Sequence, residues 1–228
     1  MESEKSAVVQ NVQPENRSQF NGKLLGYLGI CLLYFFLCLI TIGFAMPWFI
    51  CRLQRWKIQY TIIDGKRLIF DGKGSKLFWR YVWWTFLTLI TLGFYSWWRG
   101  IKIQDWLTER THLVWEDGRI FRGKYVAARS RFCGDVVGYV LITIWQSLLI
   151  IFTLGIATPW ANCMFQRWLC KNTVIDEEQL IFEGKGRKYF WRCLAWFLLT
   201  LVTLGIFGLW VPIKRMKWMT KNTHFDIE

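Results

Sequence analysis

Ionisable side chains are missing from four long stretches of this chain: Leu24 to Cys51, Tyr81 to Trp98, Val136 to Gln166 and Cys193 to Ile213 contain no Asp, Glu, Lys or Arg. That absence argues against proton- or ion-coupled transport, which needs an ionisable group within the apolar region. Histidine is nearly absent too, and His112 and His224 are too few and too far apart in sequence for a zinc site. The seven cysteines form no C-x-x-C pair and lie mostly in or beside apolar runs, where Cys acts as a small hydrophobe, so neither a metal nor a disulfide framework is expected. No secretory cleavage site follows the first apolar run, which proceeds directly to Pro47-Trp48. The Gly-Lys-Gly triplets at Gly72 to Gly74 and Gly184 to Gly186 lack the longer glycine-rich run and the Ser or Thr of a P-loop. With no nucleophile-and-base arrangement and no cofactor fingerprint either, the chain carries no catalytic, cofactor-binding or metal residue and is not expected to be an enzyme.

What is present is apolar surface. Of 228 residues 54% are hydrophobic, with 16 Trp and 18 Phe, more than a domain surrounded by water usually carries. Each uncharged run reaches the roughly 18 residues that cross about 30 Å of hydrocarbon. The expected fold is therefore membrane all-α, with four main apolar helices near 24–46, 81–98, 136–158 and 193–212 and small β-hairpin caps near 59–72, 111–123 and 171–184. The polar residues 1–22 read as a disordered N-terminal tail.

Self-comparison organises the rest. Thr61 to Arg80 aligns without a gap on Thr173 to Arg192, an offset of 112, so the chain is a tandem duplication with a first repeat over 23–133 and a second over 134–228. Within each half a Thr-x-Gly mark recurs, at Gly43, Gly93, Gly155 and Gly205, giving four units. Each glycine is read as a helix break. Two tryptophans recur in every unit, Trp48, Trp98, Trp160, Trp210 and Trp56, Trp106, Trp168, Trp218. After each break a short amphipathic helix is expected to lie in the headgroup region, with these tryptophans as interfacial anchors and Arg55 and Arg167 as lipid contacts.

The net charge of +13 is spread over every segment between apolar runs, so anionic membrane lipids rather than nucleic acid are the expected partners, together with a homo-oligomer or membrane partner. Four full spans would place fifteen Lys and Arg on one side and fourteen on the other, so the positive-inside rule does not orient the chain. Dual orientation would explain the tie. So would runs that bend back at the Thr-x-Gly mark and bring the basic hairpins to one face. Four full spans are the favoured reading.

The motifs "TLGFYSWW", "TLGIATPW", "THLVWEDGRIFRG" and "TIIDGKRLIFDGKG" resemble the pattern of the YjgN-like family of bacterial inner-membrane proteins of unknown function, from about Gly22 onward. The resemblance implies a multi-pass protein of the bacterial inner membrane and transfers no catalytic residue. Trp97 and Leu209 stand where the pattern has proline. Two functions follow: an oligomeric pore or passive carrier whose path is lined by Thr88, Thr91, Gln146, Thr200 and Thr203, or a membrane scaffold that binds anionic lipid or a protein through its basic interfacial belt.

Overall fold

The computed structural model describes residues 18–114 and 130–226. The expected tail (1–17) and the expected hairpin at Asp117-Gly118 lie outside the described residues. Four copies of one unit make up the rest. Each copy has a leading strand, an outgoing helix, a tip of five residues in the first three copies and eight in the fourth, a returning helix and a closing strand. The first is β1 (Gln19–Phe20), α1 (Leu24–Ile40), α2 (Met46–Gln59) and β2 (Thr61–Ile63). The second is β3 (Lys66–Phe70), α3 (Gly74–Ile90), α4 (Ser96–Glu109) and β4 (Thr111–Val114). The third is β5 (Arg131–Phe132), α5 (Val136–Phe152), α6 (Thr158–Lys171) and β6 (Thr173–Ile175), and the fourth is β7 (Glu178–Phe182), α7 (Gly186–Val202), α8 (Val211–Lys221) and β8 (Thr223–Phe225).

This architecture corrects the membrane all-α expectation. Among the described residues no helix is long and apolar enough to cross a membrane. All four outgoing helices stop at 17 residues, about 25 Å. In α3 and α7 the first two turns carry Lys76, Arg80, Arg187, Lys188 and Arg192, so the uncharged parts, Tyr81–Ile90 and Cys193–Val202, rise only about 15 Å. The physical reason is the tip. At its end the Thr hydroxyl (Thr41, Thr91, Thr153, Thr203) donates to the carbonyl four residues back at 2.7–2.8 Å. The same oxygen accepts the amide four residues ahead at 3.0–3.1 Å. The glycine amide reaches the carbonyl five residues back, as Gly43 N to Cys38 O at 2.7 Å, closing a Schellman-type cap. The chain then reverses. Each uncharged run is thus two antiparallel segments of a helical hairpin, and the bend-back alternative describes the tips. The fourth tip differs by a 3₁₀ turn, Ile206–Leu209, that delays α8; the second, despite Trp97, matches the first.

The hairpins expected near 59–72 and 171–184 are present as β2–β3 and β6–β7, but instead of small separate caps each is the middle of a four-stranded antiparallel sheet, in order β1-β2-β3-β4 and β5-β6-β7-β8. The units close into a ring: α2 packs on β3, α4 on β5, α6 on β7, and α8 returns to β1. The closure is apolar, with Ile213 of α8 clustering with Phe20 and Trp56. A single larger core contains Cys51, Leu77, Trp106, Cys170, Tyr189 and Trp218, drawn from both halves.

Candidate lipid-facing site

Large exposed apolar side chains are confined to one part of every unit. Among the described residues, all of them except Ile181 lie on an outgoing helix, a tip or the start of a returning helix. Such a surface far exceeds the few hundred Å² that a protein surrounded by water leaves open. At its extremity stand Ile42, Leu92, Leu154 and Leu204, 90%, 94%, 94% and 94% exposed. All four have left-handed backbone, with φ of 51°, 49°, 50° and 49°. That conformation costs an L-residue with Cβ about 1 kcal/mol or more, and Asn or Gly relieves it. Each is followed by its break glycine, Gly43, Gly93, Gly155 or Gly205, at φ of 85–94°, where an added Cβ would meet nothing within 4 Å. The glycine is needed for its backbone angle alone.

The two tryptophan sets part company. Trp48, Trp98, Trp160 and Trp210 are more than a third exposed near the tips. Trp56, Trp106 and Trp218 are buried at the hairpin base, Trp168 partly so. There each meets the phenyl ring of its own leading strand edge-on: Phe20, Phe70, Phe132 and Phe182, at centroid distances of 5.6, 6.1, 5.7 and 5.8 Å. A glycine two residues after each Phe leaves room for the ring, since a Cβ at Gly72 would stand 2.2 Å from Phe70. This Phe-x-Gly repeat was legible at the same spacing as the Thr-x-Gly mark.

Arg55 and Arg167 are exposed and occupy equivalent places. They donate to the carbonyls of Gly72 at 2.8 Å and Gly184 at 3.2 Å, tying each returning helix to the next unit. The polar residues expected to line a path are satisfied locally. Thr88, Thr91, Thr200 and Thr203 each donate to a carbonyl of their own helix four residues back. Gln146 donates to Ala161 O at 2.7 Å. A cavity of about 200 Å³ does exist, among the returning helices, with Gln54, Gln104, Gln166, Thr108 and Thr220 in its wall. The three glutamines are equivalent positions of the repeat, and Met216 is the fourth.

Where the sheets meet, two equivalent clusters face each other. Asp64, at a hairpin turn of one sheet, accepts from Phe225 N at 2.7 Å and Ser18 Oγ at 3.1 Å and lies 2.7 Å from His224 Nδ1. Asp176 accepts from Leu113 N at 2.6 Å and Ser130 Oγ at 3.1 Å and lies 3.2 Å from His112 Nδ1. The hydrogen bond to Asp176 raises the pKa of His112 against the opposing effect of burial. Burial pushes Asp176 up, but its bonds from His112, Leu113 and Ser130 prevail and hold it low. Serine, aspartate and histidine together suggest a hydrolase triad, yet each serine hydroxyl has a backbone carbonyl as its nearest acceptor, Ser18 Oγ to Thr223 O and Ser130 Oγ to Thr111 O at 2.6 Å, and the imidazole Nδ1 that a serine would need is held by the aspartate. Sequence reasoning missed the clusters. Their signal is arithmetic, because Ser18 and Ser130, Asp64 and Asp176, and His112 and His224 are each separated by the repeat offset of 112.

A family model described as a bacterial protein of unknown function (DUF898) matches residues 127–191. No curated protein and no solved structure matches the chain.

Proposed function

We propose that this protein is a non-enzymatic scaffold that binds the surface of an anionic bilayer, seating its four hairpin tips in the acyl region of one leaflet with its basic returning helices at headgroup depth. The strained apolar tips carry the reading: at four equivalent places Ile or Leu is kept in a conformation that Asn or Gly adopts with less strain, and projected outward. The uncharged parts of α3 and α7, about 15 Å, equal half of a hydrocarbon core about 30 Å thick. Eight tip side chains, Ile42 and Phe44 with their counterparts, at about 1.5–3 kcal/mol each supply on the order of 10 kcal/mol, comparable with the roughly 8 kcal/mol of a micromolar dissociation constant. The net charge of +13 favours anionic lipid. Passage of solutes through spanning helices forms no part of the proposal. The inner face of a bacterial membrane, and a YjgN-like relationship extending over both halves, belong to it as the finer statements behind the match to a bacterial family.

Vesicle flotation with phosphatidylethanolamine and phosphatidylglycerol tests it. The wild-type chain is expected to float, and a variant with Ile42→Asn, Leu92→Asn, Leu154→Asn and Leu204→Asn to bind at least about tenfold more weakly. Its melting temperature should be equal or higher, because Asn tolerates left-handed backbone. Equal flotation of the two proteins overturns the reading.

A further inference from the structure

Between α3 and α4, where the uncharged part of α3 begins, lies a cleft of about 280 Å³ lined by Arg80, Trp84, Lys102, Asp105, Trp106 and Glu109. No described residue forms an ion pair with any of its four charged side chains. Lys102, Asp105 and Glu109 follow at i, i+3 and i+7, one face of α4. The Arg99 guanidinium over the Tyr81 ring, 5.9 Å away, sets the antiparallel register, so Arg80 lies level with Lys102 to within about a turn. The charges are therefore ordered along the hairpin. Along α4 the cation Lys102 stands nearest the tip, with the carboxylates Asp105 and Glu109 about 4.5 and 10.5 Å farther along the helix, and α3 adds Arg80 as the second cation. A zwitterionic phospholipid has the same order, with its phosphate next to the acyl chains and its ammonium farther out.

The duplication supplies a comparison inside the molecule. At the equivalent positions of the second half stand Arg192, Trp196, Lys214, Lys217, Trp218 and Lys221. The frame of Arg, Trp, Lys and Trp is kept, and both carboxylates have become lysines. Two solvated ion pairs holding α3 to α4 would have no reason to leave an all-cationic face on the same frame in the other half.

We propose that the α3–α4 cleft is a headgroup site for a phosphoethanolamine-type lipid, with the phosphate on Arg80 and Lys102 and the ammonium on Asp105 and Glu109. Indole walls from Trp84 and Trp106 close its inner side. The all-cationic counterpart takes a phosphate that carries no amine. The proposal rests on the single-leaflet reading above, which brings the cleft to headgroup depth.

Native mass spectrometry of the full chain in non-ionic detergent, offered equal phosphatidylethanolamine and phosphatidylglycerol, tests the site apart from insertion. Wild type should retain about one phosphatidylethanolamine. Asp105→Lys with Glu109→Lys, which copies the second half, should lower that retention by about tenfold while phosphatidylglycerol is kept or increased. Lys217→Asp with Lys221→Glu should add a second phosphatidylethanolamine. Circular dichroism should be unchanged, since Glu109, Lys217 and Lys221 are exposed and Asp105 is half-exposed in the open cleft. Unaltered phosphatidylethanolamine retention in the first double variant overturns the proposal, as does its displacement by millimolar inorganic phosphate, which would show a site for phosphate alone. Loss of flotation with the lipid preference intact would count against the insertion reading and leave the cleft standing.

Discussion

At the scale of single residues, the His112–Asp176 pair at the sheet junction makes the fold sensitive to pH in a defined direction. His112 has its pKa raised by Asp176, so its contribution is complete below about pH 6.5 and is lost as pH rises through the raised value. Asp176 has its pKa lowered, so its contribution is present above about pH 3.9 and is lost as pH falls through the lowered value. The pair therefore stabilises most between those limits. We expect the melting temperature in non-ionic micelles to fall by a few degrees from pH 6 to pH 8.5, reflecting about 1 kcal/mol. His112→Gln should flatten that dependence. An unchanged slope in the variant would show that another group governs it. Arg55→Gln with Arg167→Gln should weaken flotation less than the tip variant does, because these side chains also hold the carbonyls of Gly72 and Gly184.

At the scale of elements, the hairpin tip decides what the sequence could and could not disclose. The Thr-x-Gly mark and its recurrence were legible because a turn that needs one backbone angle constrains residue type tightly. Each break glycine has positive φ and open space around its Cβ position, so Gly93→Ala should cost about 1 kcal/mol through backbone strain alone. Gly72→Ala should cost more, since the Phe70 ring would have to move. Comparing the two melting temperatures checks the distinction. Hydropathy misled at the same place. The run from Leu24 to Cys51 is uncharged on both arms of a hairpin, and a window that averages along sequence cannot see the reversal at Ile42 and Gly43. The amphipathic period of the returning helices was legible, with Arg52, Arg55 and Gln59 on an exposed face. Its consequence was not, because the opposite face meets the neighbouring unit, with Cys51 and Ile58 in the shared core. For the candidate site, spacing disclosed both tryptophan sets but could not separate the exposed one near the tips from the buried one at the hairpin base, and the charge order in the α3–α4 cleft needed the register between two helices.

At the scale of the whole molecule, one contact records that the two halves face each other about a local two-fold. Lys66 Nζ donates to both carboxylate oxygens of Glu178 across the sheets, and the two positions are equivalent in the duplication, 112 residues apart. In a dimer of identical halves an equivalent pair that meets on the axis must be like with like, so Lys would meet Lys or Glu would meet Glu. Fusion of the halves removed that constraint and allowed opposite charges. The order of the charges should then matter little. Lys66→Glu alone brings two carboxylates together and Glu178→Lys alone brings two ammonium groups together, and each should lower the melting temperature by about 2–4 °C, since a partly exposed pair is worth about 1 kcal/mol or less. The exchanged double variant, Lys66→Glu with Glu178→Lys, should recover most of that loss. Recovery should be incomplete, because Lys66 Nζ also lies 5.1 Å from the Phe225 ring, and the equivalent residue facing position 178 is Leu113. If the double variant is as unstable as the sum of the single ones, the two positions do not sit on a common axis, and the pairing owes nothing to the duplication.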